Sequence, residues 1–308
     1  MMRYRIIFSK NYWKYIFSFR KTINAALGTF GVIWLLIEPT SWLSADFSLF
    51  IKTHWTWLLI GGVLWVIYEN WPNAEFCYKL NDRDIQVQIS IGDLFTFPGH
   101  IVIPINTSFD TSFESDLIAK NSTQGQFTSK YFKEPRYLDQ DIVTALAGEQ
   151  PQIKLPSKLK GNKFRFEIGK VVKLKLNNDK YAYLSAISDM NNNGVAETNF
   201  DNIQTSLGSL WSFISANGES GHINIPIIGT GRGRIIDSRE KVIKSIINSF
   251  LSATTENERR FCDKLNIVIH PKDFSEHQMN IDELKRFLEL KCHFYEYSTT
   301  RTGSGQSI

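Results

Sequence analysis

The sequence has few cysteines and no two of them close together. Cys77, Cys262 and Cys292 are odd in number and form no CxxC or Cys/His spacing. That excludes a disulfide framework and a structural zinc site, and fits free thiols in a reducing compartment. The six histidines offer no HExxH, no paired spacing and no partnered serine or cysteine nucleophile. No glycine loop runs into GK[ST], and no GxGxxG follows a strand, so the Walker A and dinucleotide fingerprints are both missing. Acidic side chains are absent from the first 21 residues, which carry Arg3, Arg5, Lys10, Lys14, Arg20 and Lys21. The remainder holds 29 basic against 31 acidic residues. The pI near 8.8 is therefore an N-terminal property, and no nucleic-acid partner is expected.

What is present begins with two uncharged runs. Residues 22–37 and 53–68 contain no Asp, Glu, Lys or Arg. At 1.5 Å per residue each reaches roughly 24 Å, and interfacial residues such as Trp42 and Trp71 lengthen it toward a bilayer core of about 30 Å. Seven of the eight tryptophans (Trp13, Trp34, Trp42, Trp55, Trp57, Trp65 and Trp71) fall in this region, as expected of a ring with one apolar body and one polar N–H at a membrane surface. Two transmembrane helices are expected at about 22–42 and 53–71, joined by a loop with Glu38, Pro39, Asp46 and Lys52. A buried core helix is the other origin of such runs. The long basic lead and the absence of a small-x-small cleavage site speak against a signal peptide. The positive-inside rule places the N-terminus, and after two spans the large C-terminal part, in the cytoplasm. Residues 1–21 read as a basic aromatic segment lying against anionic lipid, or as a solvated arm.

From about residue 80 the pattern changes to that of an α/β domain. Strands are expected at 84–91, 100–105, 181–187, 222–228, 265–270 and 292–297, and helices at 201–216, 237–253 and 281–291. Strands alternating with helices imply a sandwich around a mostly buried sheet. Residues 298–308 read as a disordered tail.

The stretch most suggestive of chemistry is 223–234, an apolar strand running into Gly229-Thr230-Gly231-Arg232-Gly233-Arg234 ahead of a helix expected near Asp237. Glycines let backbone N–H groups face a phosphate, and the helix end and arginines add positive charge. A tight turn with exposed arginines is the alternative. Ser122-Thr123-Gln124-Gly125-Gln126 offers hydroxyls and amides to the same anion, or is an ordinary turn. Asp93, at a strand end, is an acceptor for an exocyclic amine such as adenine presents, or a cap residue.

Together these segments resemble the macro domain. Residues 84–95 resemble its opening strand and Gly-Asp; residues 101–110 stand where it has Val-Asn-Ala-Ala-Asn; the IPIIGTGRG run resembles its second phosphate loop. The order Asn106-Thr107-Ser108-Phe109-Asp110, then Ser122-Thr123-Gln124-Gly125, then 168–197, is closer still to the divergent macro domain of the Thoeris anti-phage effectors. The resemblance spans roughly 80–297, and two membrane helices ahead of it match the membrane-type effectors. It implies a macro-like α/β/α sandwich with a mixed central sheet. It implies a ligand derived from ADP-ribose, such as histidine-ADP-ribose made by a TIR-domain partner that consumes NAD, and no other cofactor. Asp93 and Leu94 would meet adenine, Asn106 would lie near the distal ribose, and 122–126 and 229–234 would hold the diphosphate. The expected outcome is a ligand-induced homo-oligomer in the bacterial inner membrane that disrupts the bilayer. Two departures, Ile103 at the first Asn and a single glycine in Ser122–Gly125, favour a sensor over an enzyme. A tethered ADP-ribosyl hydrolase and a passive reader are the alternatives.

Overall fold

The computed structural model describes residues 19–43, 45–69, 75–114, 117–151, 153–155, 158, 160–177, 179–191, 195–229, 237–276 and 279–296. The basic segment before Phe19 and the tail beyond Glu296 lie outside them. The chain divides into two units, 1–74 and 75–308.

The first unit contains α1 (Phe19–Leu43) and α2 (Ala45–Glu69), each 25 residues long. Gly62 lets them approach, because a Cβ there would lie 2.7 Å from the Phe30 ring. The loop expected between residues 38 and 52 is instead largely helical. Charge marks where a chain can no longer be in lipid, not where a helix must end, and Asp46 sits in the first turn of α2, where the helix dipole favours an acid. Among the described residues, Leu49–Tyr68 is the helical segment long and apolar enough to cross a membrane, and Ile23–Pro39 is a shorter apolar one. Leu49, Trp55, Trp57, Leu64 and Trp65 are exposed along the longer segment. The expected pair of spans is thus met by one.

The second unit is built on β1 (Glu75–Lys79), β2 (Gln86–Ile91), β3 (His100–Asn106), β4 (Ile153–Lys154), β5 (Phe164–Arg165), β6 (Val171–Lys175), β7 (Tyr181–Met190), β8 (Ala196–Glu197), β9 (His222–Pro226) and β10 (Lys264–Ile269). Its helices are α3 (Thr123–Tyr131), α4 (Pro135–Ala145), α5 (Phe200–Asn217), α6 (Arg239–Glu256), α7 (Pro271–Glu276) and α8 (Ile281–His293). The sheet order is β1-β2-β10-β9-β3-β7-β6, with β8 added to β7. The five inner strands are parallel, and β1 and β6 run antiparallel at the edges. A parallel sheet must be covered on both faces, and the sequence supplies both covers. Ile101, Ile103, Ile105, Ala182, Leu184 and Ala186 share one core with Phe127 of α3 and Leu138 and Ile142 of α4. On α5 and α6, Ile203, Leu207, Leu210, Trp211, Ile246 and Phe250 are all buried, at helical spacing.

The strand expected at 292–297 is not one. Cys292 continues the buried series Ile281, Leu284 and Leu288 of α8, a helical period that the short apolar run conceals. The sheet edge is taken by β1, ahead of residue 80, whose alternate residues are exposed.

Burial pushes the Cys262 and Cys292 thiols up to about 12, whereas Cys77 is exposed. A maleimide at pH 8 is expected to label one thiol of the native chain quickly and all three after unfolding; rapid native labelling of two or more would contradict this packing.

At the amino end of β3, His100 is almost fully buried. Its Nδ1 accepts the Tyr181 N–H at 3.2 Å, so Nε2 carries the proton and donates it to the Ser220 carbonyl at 3.3 Å. Burial holds this imidazole below its ordinary value of 6.5. The folded state then binds fewer protons than the unfolded one, so stability present above pH 6.5 is lost as pH falls through the lowered value. The melting temperature should drop between pH 7.5 and 5.5, and His100→Gln should flatten that drop.

Candidate functional site

Strand order creates a crevice. From β3 the chain returns to the sheet on one side, at the edge strand β6 and then β7, while from β9 it returns on the other, at β10. β3 and β9 pair only at His100↔Ile223 and Ile101↔Asn224, near their amino ends. Beyond that no further ladder pairs join them, and the connections that follow lead to strands on opposite sides. Such a switch point is where open α/β sheets take ligands. A buried amide chain holds the base of the fork. Ser90 Oγ donates to Asn266 Oδ1 (2.7 Å), Asn266 Nδ2 donates to Asn224 Oδ1 (2.9 Å), and Asn224 Nδ2 donates to the Pro98 carbonyl (2.8 Å).

At the end of β2, Asp93 caps a single 3₁₀ turn, Leu94–Thr96, by accepting the Phe95 N–H at Oδ1 (3.1 Å). Among the described residues Oδ2 has no hydrogen-bond partner. The Leu94 side chain is buried in the core, so only its backbone can serve a ligand. Tyr131 of α3 stands close by. Its phenol is raised mainly by burial and secondarily by the Asp93 charge, and its ring lies 6.2 Å from that of Phe95.

At the end of β3, Asn106 is buried, and its Oδ1 accepts the backbone N–H groups of Ser108 (2.9 Å) and Asp110 (3.4 Å). The amide oxygen shapes the 106–110 loop and is not spare for a ligand. Phe109 adopts the left-handed region, φ +52°, within it. Asp110 then meets Lys158 at 2.8 Å with both side chains 0% exposed. Asn162 closes the cluster: its N–H donates to Asp110 Oδ1 (2.7 Å), its carbonyl accepts from Lys158 (2.8 Å), and its amide donates to the Ser108 and Phe109 carbonyls. Burial pushes the Asp110 carboxyl upward, opposed by the Lys158 ammonium.

The segment 122–126 is the cap and first turn of α3, not a loop of free side chains. Ser122 Oγ accepts the Gly125 N–H (3.0 Å) and donates to the Ala119 carbonyl (2.7 Å). Gln124 Nε2 donates to the Asp110 carbonyl (2.5 Å), and Gln126 Nε2 donates to the Asn121 carbonyl (2.9 Å). The side chains expected to hold an anion are engaged in fixing the backbone. Among the described residues, the N–H groups of Thr123 and Gln124 at the start of the helix have no hydrogen-bond partner, as the first donors of a helix commonly lack one inside it.

Gly229 has φ +76°, and a Cβ there would lie 2.6 Å from Ile203 Cδ1. Thr230, Gly231, Arg232, Gly233 and Arg234 lie outside the described residues. The helix expected near Asp237 starts at Arg239, because Ser238 is its cap and accepts the Lys241 N–H (3.2 Å). Gln124 thus joins the 106–110 and 122–126 segments directly, and α3 joins both to the Asp93 turn. Gly229 comes from the other arm of the fork.

Several residues here carried no sequence signal. Lys158 and Asn162 stand about 50 positions from Asp110 and follow no periodic pattern. Beside Asn106, Thr107 Oγ1 donates to Asp189 Oδ1 (3.2 Å) at the end of β7, and Arg165 Nη1 lies 4.0 Å from the same oxygen. Among the described residues, no three His, Cys, Asp or Glu side chains converge as metal ligands.

Residues 87–270 match the family described as Thoeris protein ThsA, Macro domain. Thoeris protein ThsA of Bacillus amyloliquefaciens (strain Y2) is 26% identical over 240 residues, 75% of this chain and 77% of its own. Among solved structures, the Oceanobacillus iheyensis macrodomain with MES bound is similar at 16% identity and a TM-score of 0.47, over 70% of this chain and 98% of its own. The Trypanosoma brucei macrodomain in complex with ADP-ribose is similar at 13% identity and a TM-score of 0.38, over 66% and 68%.

Proposed function

The chain belongs to the Thoeris ThsA macro-domain family, and on that footing we propose that it is a ligand-sensing membrane effector of anti-phage defence. Its α/β domain binds an ADP-ribose-derived signal, histidine-ADP-ribose, made by a TIR-domain enzyme that consumes NAD. Binding drives homo-oligomerisation. The apolar N-terminal helices then breach the bacterial inner membrane, with the N-terminus and the α/β domain on the cytoplasmic side.

One observation carries this reading: the same chain joins a macro domain to a 20-residue apolar helical segment. A reader of ADP-ribose has no physical need of a bilayer-length helix; an effector that acts on lipid does. In the site, Asp93 Oδ2 and the Leu94 backbone receive adenine. The N–H groups at the start of α3 and the 229–234 turn hold the diphosphate, and Asn106 orders the loop under the distal ribose. The engagement of Asn106 Oδ1 and Ser122 Oγ with nearby backbone favours a sensor over a hydrolase, since neither oxygen is left to handle a water or a leaving group.

The test uses the full chain in detergent and in vesicles. Calorimetry should give tight binding of histidine-ADP-ribose with no turnover, light scattering should show a larger particle with ligand, and a trapped dye should escape only when ligand is added. Release of free ADP-ribose would convert the reading to a hydrolase. Binding without leakage would convert it to a passive reader.

A further inference from the structure

The ribbon β4–β5 stands apart from the main sheet. Its strands pair Ile153↔Arg165 and Lys154↔Phe164, and among the described residues no third strand joins them. Its charge is of one sign: residues 152–166 carry Lys154, Lys158, Lys160, Lys163 and Arg165 and not one acid. Two of the five are answered locally, Lys158 by Asp110 and Arg165 by Asp189. Asp139, which also reaches this segment, accepts from the Asn162 amide (3.4 Å). Lys154, Lys160 and Lys163 are exposed, and among the described residues no acid lies within ion-pair distance of them.

Apolar side chains are exposed beside these lysines. Phe164 is 47% exposed and Ile153 39%. Directly paired residues share a face, so the Phe164 ring and the Lys154 stem project together. An apolar ring next to an ammonium on a long stem suits a lipid interface, where the ring meets acyl chains and the charge meets phosphate. The loop of the ribbon is held to the domain. Lys158 and the Asn162 N–H both grip Asp110, and a Cβ on Gly161 would lie 2.1 Å from Asp110 Oδ1.

The place of the ribbon selects its partner. The Phe166 N–H donates to the Thr107 carbonyl (2.9 Å) and the Asn162 amide to those of Ser108 and Phe109, all just past the carboxyl end of β3. The chain enters the domain at Glu75, which pairs with Ser90 beside the carboxyl end of β2. β2 and β3 run the same way through β10 and β9, so the ribbon and the entry point lie at one end of the sheet. Residues 70–74 alone separate that entry from α2, which contains the membrane-length segment. An acidic protein or a nucleic acid would have to arrive from elsewhere, whereas the chain itself holds the bilayer.

We propose that the β4–β5 ribbon docks on the anionic headgroups of the bilayer, with Phe164 entering the interface and Lys154, Lys160 and Lys163 meeting lipid phosphate. The inference rests on the membrane reading above and adds a lipid contact made by the α/β domain itself.

The test uses the full chain with Cys77→Ser and Phe164→Cys, the new thiol carrying a polarity-sensitive fluorophore. Cys262 and Cys292 are buried and stay unlabelled. The protein is reconstituted in vesicles of phosphatidylcholine, with or without phosphatidylglycerol, that contain lipids brominated on their acyl chains. Bromine should quench the fluorophore in the anionic vesicles and not in the neutral ones. Salt at about 1 M, where the Debye length is about 3 Å, should abolish the quenching. Lys154→Gln, Lys160→Gln and Lys163→Gln together should lower the ratio of docked to free ribbon about a hundredfold. A label on Lys175→Cys, at the amino end of the parallel strands, should stay in water. Absence of quenching at 164 in anionic vesicles overturns the docking, as does quenching equal in both lipids and indifferent to the lysines. A label that responds to polyglutamate or a DNA oligonucleotide but not to lipid also overturns it and assigns the ribbon to a soluble acidic partner. A chain that does not float with either vesicle overturns the membrane reading itself, and flotation is measured first.

Discussion

Asp110→Ala is expected to destabilise the α/β domain by about 3–5 kcal/mol, the range found when one partner of a buried ion pair is removed. Lys158 would remain with its ammonium fully buried and only the Asn162 carbonyl as a partner. Domains are stable by only about 5–15 kcal/mol, so a loss of this size removes much of the margin. The variant should also lose ligand, because Asp110 ties the 106–110 loop to Asn162 and its carbonyl receives Gln124 of α3. Asp110→Leu combined with Lys158→Met is the decisive companion, since it leaves no charge buried and should recover part of the stability. Scanning calorimetry on the full chain in detergent reads both. If the double variant is as unstable as Asp110→Ala alone, shape and not charge pairing holds this cluster.

Gly125→Ala is expected to destabilise the domain by about 3 kcal/mol, the upper part of the range for an overpacked core. The added Cβ would lie 2.1 Å from the Ala119 carbonyl oxygen and 2.8 Å from the Lys120 Cα. Both obstacles are backbone, which cannot swing aside as a side chain would. The start of α3 would have to move, taking the Thr123 and Gln124 N–H groups with it and weakening any anion bound there. Gly148→Ala makes the contrast. It has φ +91° but nothing within 4 Å of the new atom, so only the conformational term of about 1–2 kcal/mol applies. Melting curves of the two variants separate close approach from backbone strain. A Gly125→Ala protein that melts with the wild type would rule out this packing of α3.

Periodicity made α5, α6, α8 and the inner strands legible, since each element buries residues at its own repeat. It failed where a repeat was too short or half hidden. The run from Cys292 looked like a strand because so few residues cannot distinguish a period of 2 from the end of a helix. The edge strand β1 was missed because its exposed residues are charged at both ends. In the site, Asp93, Asn106, Ser122 and Gly229 were found as segments, but the roles given to their side chains changed. Ser122 caps a helix and Asn106 organises its own loop, because a polar side chain at a chain reversal meets the nearest backbone N–H first. Lys158, Asn162, Arg165 and Asp189 were invisible, as their meaning comes from partners far away in the chain.

The sequence by itself determined the division into an apolar, tryptophan-rich N-terminal part and an α/β domain whose glycine and asparagine turns sit at strand ends. Those features depend on residues within one turn or one strand of each other. Only the tertiary structure decided that β3 and β9 pair at two positions alone, that Asp110 and Lys158 form a fully buried ion pair, and that Arg165 comes to lie beside Asp189. Each is a relation between segments dozens of residues apart, created when the sheet assembles and fixed by the desolvation that assembly brings.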